Sequence, residues 1–170
     1  MKALGIDPGL VVTGYAVLEQ ESGSIRLIEA GTIDAGKAKD PLPIRLRRLH
    51  EGINGLLDDH QPEAMALETL FSHYDHPRTA ILMGHARGVI CLAAGLHDVA
   101  LHNYTATQVK SALTGNGRAS KEQIQKMVRR TFALVETPRP PDVADAVAIS
   151  LCHLYHHGTR SNQDYLRLIK

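Results

Sequence analysis

The chain has only two cysteines among its 170 residues and no Cys-x-x-Cys pair. Cys91 and Cys152 lie in apolar stretches with helical periodicity, so we expect buried, reduced thiols rather than a disulfide or a zinc site. No apolar run approaches the roughly 20 residues that cross a bilayer, and no secretory signal pattern follows Met1. We therefore expect a cytoplasmic protein without a membrane partner.

The motifs of several enzyme classes are also missing. There is no P-loop, no Ser-His-Asp series in a recognisable order and no sign of a reactive cysteine. No internal repeat, linker or low-complexity tract divides the chain. We predict one domain over residues 1–157, followed by a polar C-terminal tail over residues 158–170.

Charge is distributed unevenly along the chain although the formal net charge is only +1. Residues 1–77 carry seven Lys/Arg against twelve Asp/Glu, whereas residues 78–139 carry nine against three. The middle segment is therefore a candidate contact surface for a polyanion such as a nucleic acid. A solvated basic face is the alternative interpretation.

Hydrophobic patterning predicts a mixed α/β domain. Short apolar or alternating runs bounded by turn signals predict five strands, at 3–7, 13–19, 25–33, 64–68 and 99–104. Apolar residues at helical spacing predict a helix that opens at 41–43 and further helices at 77–96, 105–113, 121–134 and 142–157. Three antiparallel strands followed by alternating helices and strands indicate a mixed five-stranded sheet flanked by helices.

Two of the predicted strands end in a carboxylate. Asp7 closes the first strand and Glu68 closes the fourth, each directly after an apolar run. If these strands are neighbours, a rigid sheet holds the two carboxylates close together. The alternative is that each residue only begins a loop or caps a turn.

Asp142 and Asp145 lie three residues apart at the start of the last predicted helix and share one of its faces. Asp142 would also suit a helix N-terminus, where the helix dipole favours negative charge. Asp145 stands among small apolar residues, where an aspartate costs stability unless a partner such as a metal holds it.

Four converging carboxylates would repel one another strongly without cations. An all-oxygen site suits Mg²⁺ or Mn²⁺ rather than zinc. Two such ions roughly 3.5–4 Å apart can bracket a phosphodiester for hydrolysis. These residues and the basic segment predict a metal-dependent nuclease.

Three histidines cluster near the end of the last predicted helix, namely His153, His156 and His157. They could form a metal site. A favourable interaction with the helix C-terminus is the simpler interpretation.

The motifs that carry these carboxylates resemble those of the RuvC-type Holliday junction resolvases. In chain order they are Gly5-Ile6-Asp7-Pro8-Gly9, Thr13-Gly14-Tyr15, Leu67-Glu68 with Phe71, Gly84-His85-Ala86-Arg87-Gly88-Val89, Gln108-Val109-Lys110 and Asp142-Val143-Ala144-Asp145-Ala146-Val147-Ala148-Ile149. The first motif alone is weak, because actin-like ATPases and sugar kinases share its strand-Asp-x-Gly start. All six in order, in a chain of this length, are a specific signal.

The resemblance implies a ribonuclease H-like fold, a homodimer and symmetric nicking of two opposing strands at a four-way DNA junction. It also implies that Asp7, Glu68, Asp142 and Asp145 are the catalytic metal ligands, with two Mg²⁺ ions per site that Mn²⁺ can replace. Family members work with a branch-migration motor complex in recombination and repair, which places the expected cytoplasmic protein at the nucleoid.

The resemblance further implies residues that contact DNA. Lys110 and Lys121 match basic positions near the DNA, and their physical role would be to neutralise phosphates. Phe71 matches an aromatic that can stack on junction bases. We expect Arg78 and Arg118 to contact the DNA backbone. The alternatives are solvated helix lysines for the first pair and ordinary loop packing for Phe71.

Three other functions are considered. A nuclease of the same fold that acts on RNA or an RNA–DNA hybrid would present the same carboxylates, so only its substrate would distinguish it. An actin-like phosphotransferase needs a second similar half and a second phosphate loop, which 170 residues do not supply. A DNA-binding module without catalysis would be expected to lack one or more of the acidic residues.

Overall fold

The computed structural model describes residues 1–69 and 77–157, which form five strands and five helices. The strands are β1 (Lys2–Asp7), β2 (Val12–Glu21), β3 (Ser24–Asp34), β4 (Ala64–Glu68) and β5 (Ala100–Tyr104). The helices are α1 (Leu42–His60), α2 (Pro77–Leu96), α3 (Ala106–Thr114), α4 (Lys121–Thr131) and α5 (Pro141–His157).

The five strands form one mixed sheet in the order β3-β2-β1-β4-β5. The first three strands are an antiparallel meander, and β4 and β5 extend the sheet in parallel beyond β1. This arrangement confirms the predicted fold class. It also confirms that the first and fourth strands are neighbours.

Side chains alternate between two cores on opposite faces of the sheet, as the two-residue period of a strand requires. On β1, Ala3 packs with residues of α3, α4 and α5, whereas Leu4 and Ile6 pack with α1 and α2. On β4, Ala66 joins the first core and Leu67 joins the second. The alternation therefore decides which side chains of β1 and β4 face α5.

Helix α5 lies directly against β1 and β2, and most of its residues are buried. The hydroxyl of Ser150 donates a hydrogen bond to the carbonyl oxygen of Ala3 at 3.1 Å. At Gly5, an added Cβ would lie 2.7 Å from the backbone nitrogen of Ser150, and at Gly14 it would lie 3.0 Å from the Cβ of Asp142. These strand glycines are therefore required because the helix backbone approaches the sheet so closely.

Side-chain caps explain where two of the helices begin, and a residue with positive φ explains why the predicted end of α4 was wrong. Thr105 and Ser120 each form a capping box with the glutamine three residues later, at the starts of α3 and α4. Helix α4 ends at Thr131, three residues before its predicted end. The chain leaves the helix because Ala133 adopts a φ of 49°, in the left-handed region.

The two cysteines are free, as predicted, but only one is buried. Cys152 lies inside the core of α5, where burial raises the pKa of its thiol to about 12. Cys91 lies half-buried on α2.

Helix α2 corrects the expectation that no stretch of the chain has the length and apolar character of a membrane-spanning helix. Among the described residues it is the one helix that could cross a membrane by length and composition alone. Of its apolar stretch, 22% is buried inside the protein. The sequence did not indicate this apolar character, because two arginines and a histidine break the apolar run. Ala86, Ile90, Ala93 and Ala94 of α2 are buried in the core that also contains α1, which accounts for one of its faces.

We predict that Gly5→Ala lowers the free energy of unfolding by about 1–3 kcal/mol, because the new methyl group overlaps the backbone of α5. Urea denaturation would measure the change. Gly55→Ala is the matched control: no atom lies within 4 Å of its added Cβ, and alanine favours a helix by up to about 1 kcal/mol. Equal destabilisation by both substitutions would contradict the close packing of α5 on β1.

Candidate active site

The two carboxylates that end strands lie side by side at one edge of the sheet. β1 and β4 are parallel neighbours, with Ile6 paired to Leu67, so that the next residues are Asp7 and Glu68. Asp7 follows Ala3 and Gly5 on the face of β1 toward α5, and Glu68 follows Ala66 on the same face of β4. Strand alternation thus turns both carboxylates toward the start of α5.

The first turns of α5 bring the other two carboxylates to the same place. Gly14, which pairs with Asp7 across β1 and β2, lies against the backbone of Asp142. Asp145 is one turn further along the helix and lines a cleft of about 230 Å³ together with Glu68. The structure therefore brings all four predicted carboxylates together, from two strands and one helix.

The electrostatics of Asp7 show how much negative charge this edge of the sheet gathers. Burial, followed by the charges of Asp145, Glu68 and Asp142, raises the pKa of Asp7 from 3.8 to about 7. Burial and Asp145 also raise the pKa of Glu68. Without a cation, burial and the charges of the cluster therefore favour the protonated form of Asp7 at a pH where a free aspartate is ionised.

Two lysines supply the positive charge nearest to the carboxylates. Lys121, at the first position of α4, forms an ion pair with Asp145 at 2.6 Å, and this contact raises the pKa of the lysine. Lys110 of α3 lines the same cleft, and its charge opposes the rise in the pKa of Glu68. Both lysines lie where the sequence placed them, beside the carboxylates.

Of the remaining predicted DNA-contacting residues, Arg78 and Arg118 do not line this cleft. Phe71 lies outside the described residues. Arg78 is exposed near the start of α2. Arg118 is exposed in the turn between α3 and α4, where its backbone N–H donates to Oδ1 of Asn116 at 2.9 Å.

Two further residues support the site, although no role was predicted for either of them. The guanidinium of Arg87 donates one hydrogen bond to the carbonyl oxygen of Glu68 at 2.5 Å and another to Oδ1 of Asn103. Thr13 closes the turn after Asp7, since its hydroxyl donates to the carbonyl oxygen of Gly9 and accepts from the N–H of Gly9. Arg87 and Thr13 each belong to one of the quoted motifs, which was the only signal for them in the sequence.

The donor chemistry of the site fits a hard divalent cation. Among the described residues that line the cleft, the polar side chains are the carboxylates of Glu68 and Asp145 and the amines of Lys110 and Lys121. Oxygen ligands suit Mg²⁺ or Mn²⁺, and a cation here would remove the repulsion that keeps Asp7 partly protonated.

Comparisons with known proteins agree with this geometry. A family model for "Crossover junction endodeoxyribonuclease RuvC" matches residues 3–153. The protein of that name from Rhodopirellula baltica is 56% identical over 152 residues, covering 89% of this chain and 85% of the relative. The protein of that name from Nitrosomonas eutropha is 42% identical over 159 residues, covering 94% and 86%.

Solved structures extend the likeness to three dimensions. Thermus thermophilus RuvC in complex with a Holliday junction substrate matches with a TM-score of 0.85 and 34% identity, covering 92% of this chain and 94% of that chain. The yeast mitochondrial Holliday junction resolvase matches with a TM-score of 0.66 at 14% identity, covering 95% and 83%, which supports the fold alone. The predicted ribonuclease H-like fold is thereby confirmed, and the chain belongs to the crossover junction endodeoxyribonuclease RuvC family.

Proposed function

We propose that this protein resolves Holliday junctions by nicking two opposing DNA strands symmetrically, with Asp7, Glu68, Asp142 and Asp145 as ligands for two Mg²⁺ ions. Membership of the family supports the endodeoxyribonuclease activity at crossover junctions. The convergence of four carboxylates is the observation that supports the metal site: burial and then the charges of the other three raise the pKa of Asp7 to about 7.

The strands and α5 give the site its rigidity. Asp7 and Glu68 are held by the sheet, and Asp145 is held by the buried helix that packs on it. When bound, Mg²⁺ or Mn²⁺ would activate water and stabilise the leaving oxygen of a phosphodiester. Arg87 acts as a positioning residue, because its hydrogen bond to the Glu68 carbonyl fixes the end of β4.

Lys121 and Lys110 are placed to receive the substrate's phosphates. Lys121 is paired with Asp145, and its side chain remains about half exposed, so the same ammonium can contact a phosphate. Lys110 stands on the opposite helix of the cleft. Their positive charge would hold the backbone against the carboxylates and partly offset the repulsion between carboxylate and phosphate.

An exposed face of α2 supports the proposal of a homodimer. Ile81, Leu92 and Leu96 are 56–65% exposed and recur at helical spacing. Gly84 and Gly88 lie between them, and no other described part of the chain comes within 4 Å of a Cβ added at either. This glycine-lined apolar face permits close approach of a second copy, and a two-fold axis would supply the two sites that paired cuts require.

Two further expectations rest on the family resemblance. We propose that the enzyme cooperates with a branch-migration motor complex, which would bring it to junctions during recombination and repair. We also propose a cytoplasmic, nucleoid-associated location, where the substrate of that reaction is found.

The first experiment compares three substrates: a synthetic four-way junction, a linear duplex and an RNA–DNA hybrid, each with and without Mg²⁺. We expect paired symmetric nicks in the junction alone, and only with the metal. Cutting of the hybrid instead would favour the alternative, a nuclease with the same carboxylates acting on RNA–DNA hybrids.

We predict that Asp7→Asn leaves junction binding intact and strongly reduces cleavage. Removing a residue that only supports a metal ligand lowers activity by about 10–100-fold, so removing a ligand itself should lower cleavage by at least that much. The amide keeps the side-chain volume but loses the negative charge that the metal requires. Gel-shift and cleavage assays measure the two properties. Asp59→Asn, an exposed aspartate of α1, should behave as wild type; full cleavage by Asp7→Asn would refute the ligand assignment.

We predict that Lys110→Ala and Lys121→Ala each weaken activity and flatten the salt dependence of junction affinity. Each lost phosphate contact should lower the slope of log affinity against log salt concentration by about 1. Binding measured over a series of salt concentrations gives the slope. Lys39→Ala changes an exposed lysine before α1 and should leave it unchanged, whereas equal slopes in all three variants would identify the two lysines as solvated surface residues.

We predict that Leu92→Glu converts a homodimer to a monomer. Burial of Leu92 in the dimer interface would contribute about 1.5–3 kcal/mol to association. Its loss makes the dimer roughly 10–200-fold weaker, and the new charge weakens it further. Light scattering after size exclusion measures the mass. Val135→Glu alters a valine that is 93% exposed elsewhere and should remain dimeric; a dimeric Leu92→Glu would exclude this face as the interface.

A further inference from the structure

A second cluster of metal-binding side chains lies at the opposite end of α5 from the carboxylates. We propose that His102, His153 and His157 form a binding site for a borderline transition-metal ion, with Zn²⁺ as the expected occupant. One potential ligand atom from each of the three lies within 4.8 Å of the other two. His153 and His157 are one turn apart on α5, and His102 faces them from β5.

The buried member of this cluster has a nitrogen without a partner. His153 is 1% exposed. Its Nδ1 is 2.9 Å from the hydroxyl of Tyr104, whereas its Nε2 has no hydrogen-bond partner among the described residues. A buried polar atom without a partner costs stability. A metal ion at Nε2 would remove that cost.

The protonation states of the cluster suit metal binding. Burial, then the neighbouring histidines, lower the pKa of His153 to about 4, and burial lowers the pKa of His102 as well. The ring of His153 is therefore neutral at pH 7, which is the form that binds a metal. Burial raises the pKa of Tyr104 to about 12, so its hydroxyl stays protonated.

Tyr104 also sets which nitrogen of His153 is available. In the metal-binding tautomer Nδ1–H donates to the tyrosine oxygen, and the lone pair of Nε2 points away from that contact. A ligating histidine whose other ring nitrogen is held by a hydrogen bond is the usual arrangement in metal sites.

Three imidazoles select a borderline metal rather than Mg²⁺. Nitrogen ligands suit Zn²⁺, Co²⁺, Ni²⁺ and Cu²⁺, whereas Mg²⁺ prefers oxygen. Zinc–nitrogen bonds of about 2.0–2.1 Å place the ligand atoms of a tetrahedral site about 3.3 Å apart. The potential ligand atoms of the three histidines lie within 4.8 Å of one another, so the rings must rotate inward to bind the ion. Because His157 is exposed, water can supply the fourth ligand.

This cluster is distinct from the carboxylate site. His153 is eight residues beyond Asp145 on the same helix, which corresponds to about 12 Å along its axis. An ion bound there would join the edge strand β5 to the end of α5. For His153 and His157 the sequence favoured an interaction with the helix C-terminus over a metal site, but the ring of His153 is buried and hydrogen-bonded to Tyr104.

The test uses untagged full-length protein, with Mg²⁺ in excess to occupy the carboxylate site. Co²⁺ is titrated while visible absorption reports tetrahedral coordination, and Zn²⁺ is then added as a competitor. We expect one Co²⁺ per chain, displaced by Zn²⁺. At a Zn²⁺ concentration of about 100 times its dissociation constant, the melting temperature should rise by roughly 5–10 °C.

His157→Ala removes an exposed ligand and should weaken Co²⁺ binding at least about tenfold without unfolding the protein. His156→Ala is the matched control: this neighbouring histidine stacks on Tyr104, at 5.8 Å between ring centroids, and lies outside the trio. Circular dichroism checks that both variants are folded.

Three results would overturn the proposal. The first is no Co²⁺ binding by the wild type in excess Mg²⁺, which would leave a structural histidine cluster. The second is unchanged binding by His157→Ala. The third is loss of Co²⁺ binding in Asp7→Asn but not in His157→Ala, which would place the ion at the carboxylates and would not bear on the nuclease proposal.

Discussion

The close approach of α5 to the centre of the sheet is the constraint on which the site depends. Gly5 and Gly14 present no side chain to the helix, so the backbone of α5 lies directly on β1 and β2. This contact sets the distance at which Asp142 and Asp145 face Asp7. A methyl group at either glycine would push the helix outward and separate the carboxylates, although neither glycine carries any chemistry itself.

The same packing explains the unusual electrostatics. A buried helix that begins with two aspartates is pressed against two strands that end in carboxylates, and so negative charge gathers where water is partly excluded. Lys121 offsets some of it through its ion pair with Asp145, but the pKa of Asp7 still rises to about 7. The far end of α5 gathers imidazoles instead of carboxylates. One helix therefore presents hard oxygen donors at its start and nitrogen donors at its end, about three turns apart.

Much of the fold could be predicted because its signals are local. The bounds of β4 and α2 agree with the expectation, since Glu68 ends an apolar run and Pro77 is a residue that suits the first turn of a helix. The end of α4 was wrong, because the positive φ at Ala133 has no clear local signal. The apolar character of α2 was also missed: its three arginine and histidine side chains hid a face that the structure leaves exposed.

The sequence by itself singled out the four carboxylates, because Asp7 and Glu68 end apolar strands, because Asp145 stands among small apolar residues, and because the order of all four matches a known family. It also determined that Lys110 and Lys121 belong near them. Only the tertiary structure decided that Arg87 holds the end of β4, that Lys121 pairs with Asp145, and that His102 meets His153 and His157. Those contacts join residues far apart in the chain, and their distances follow from how β5, α2 and α5 pack on the sheet, which local patterns do not encode.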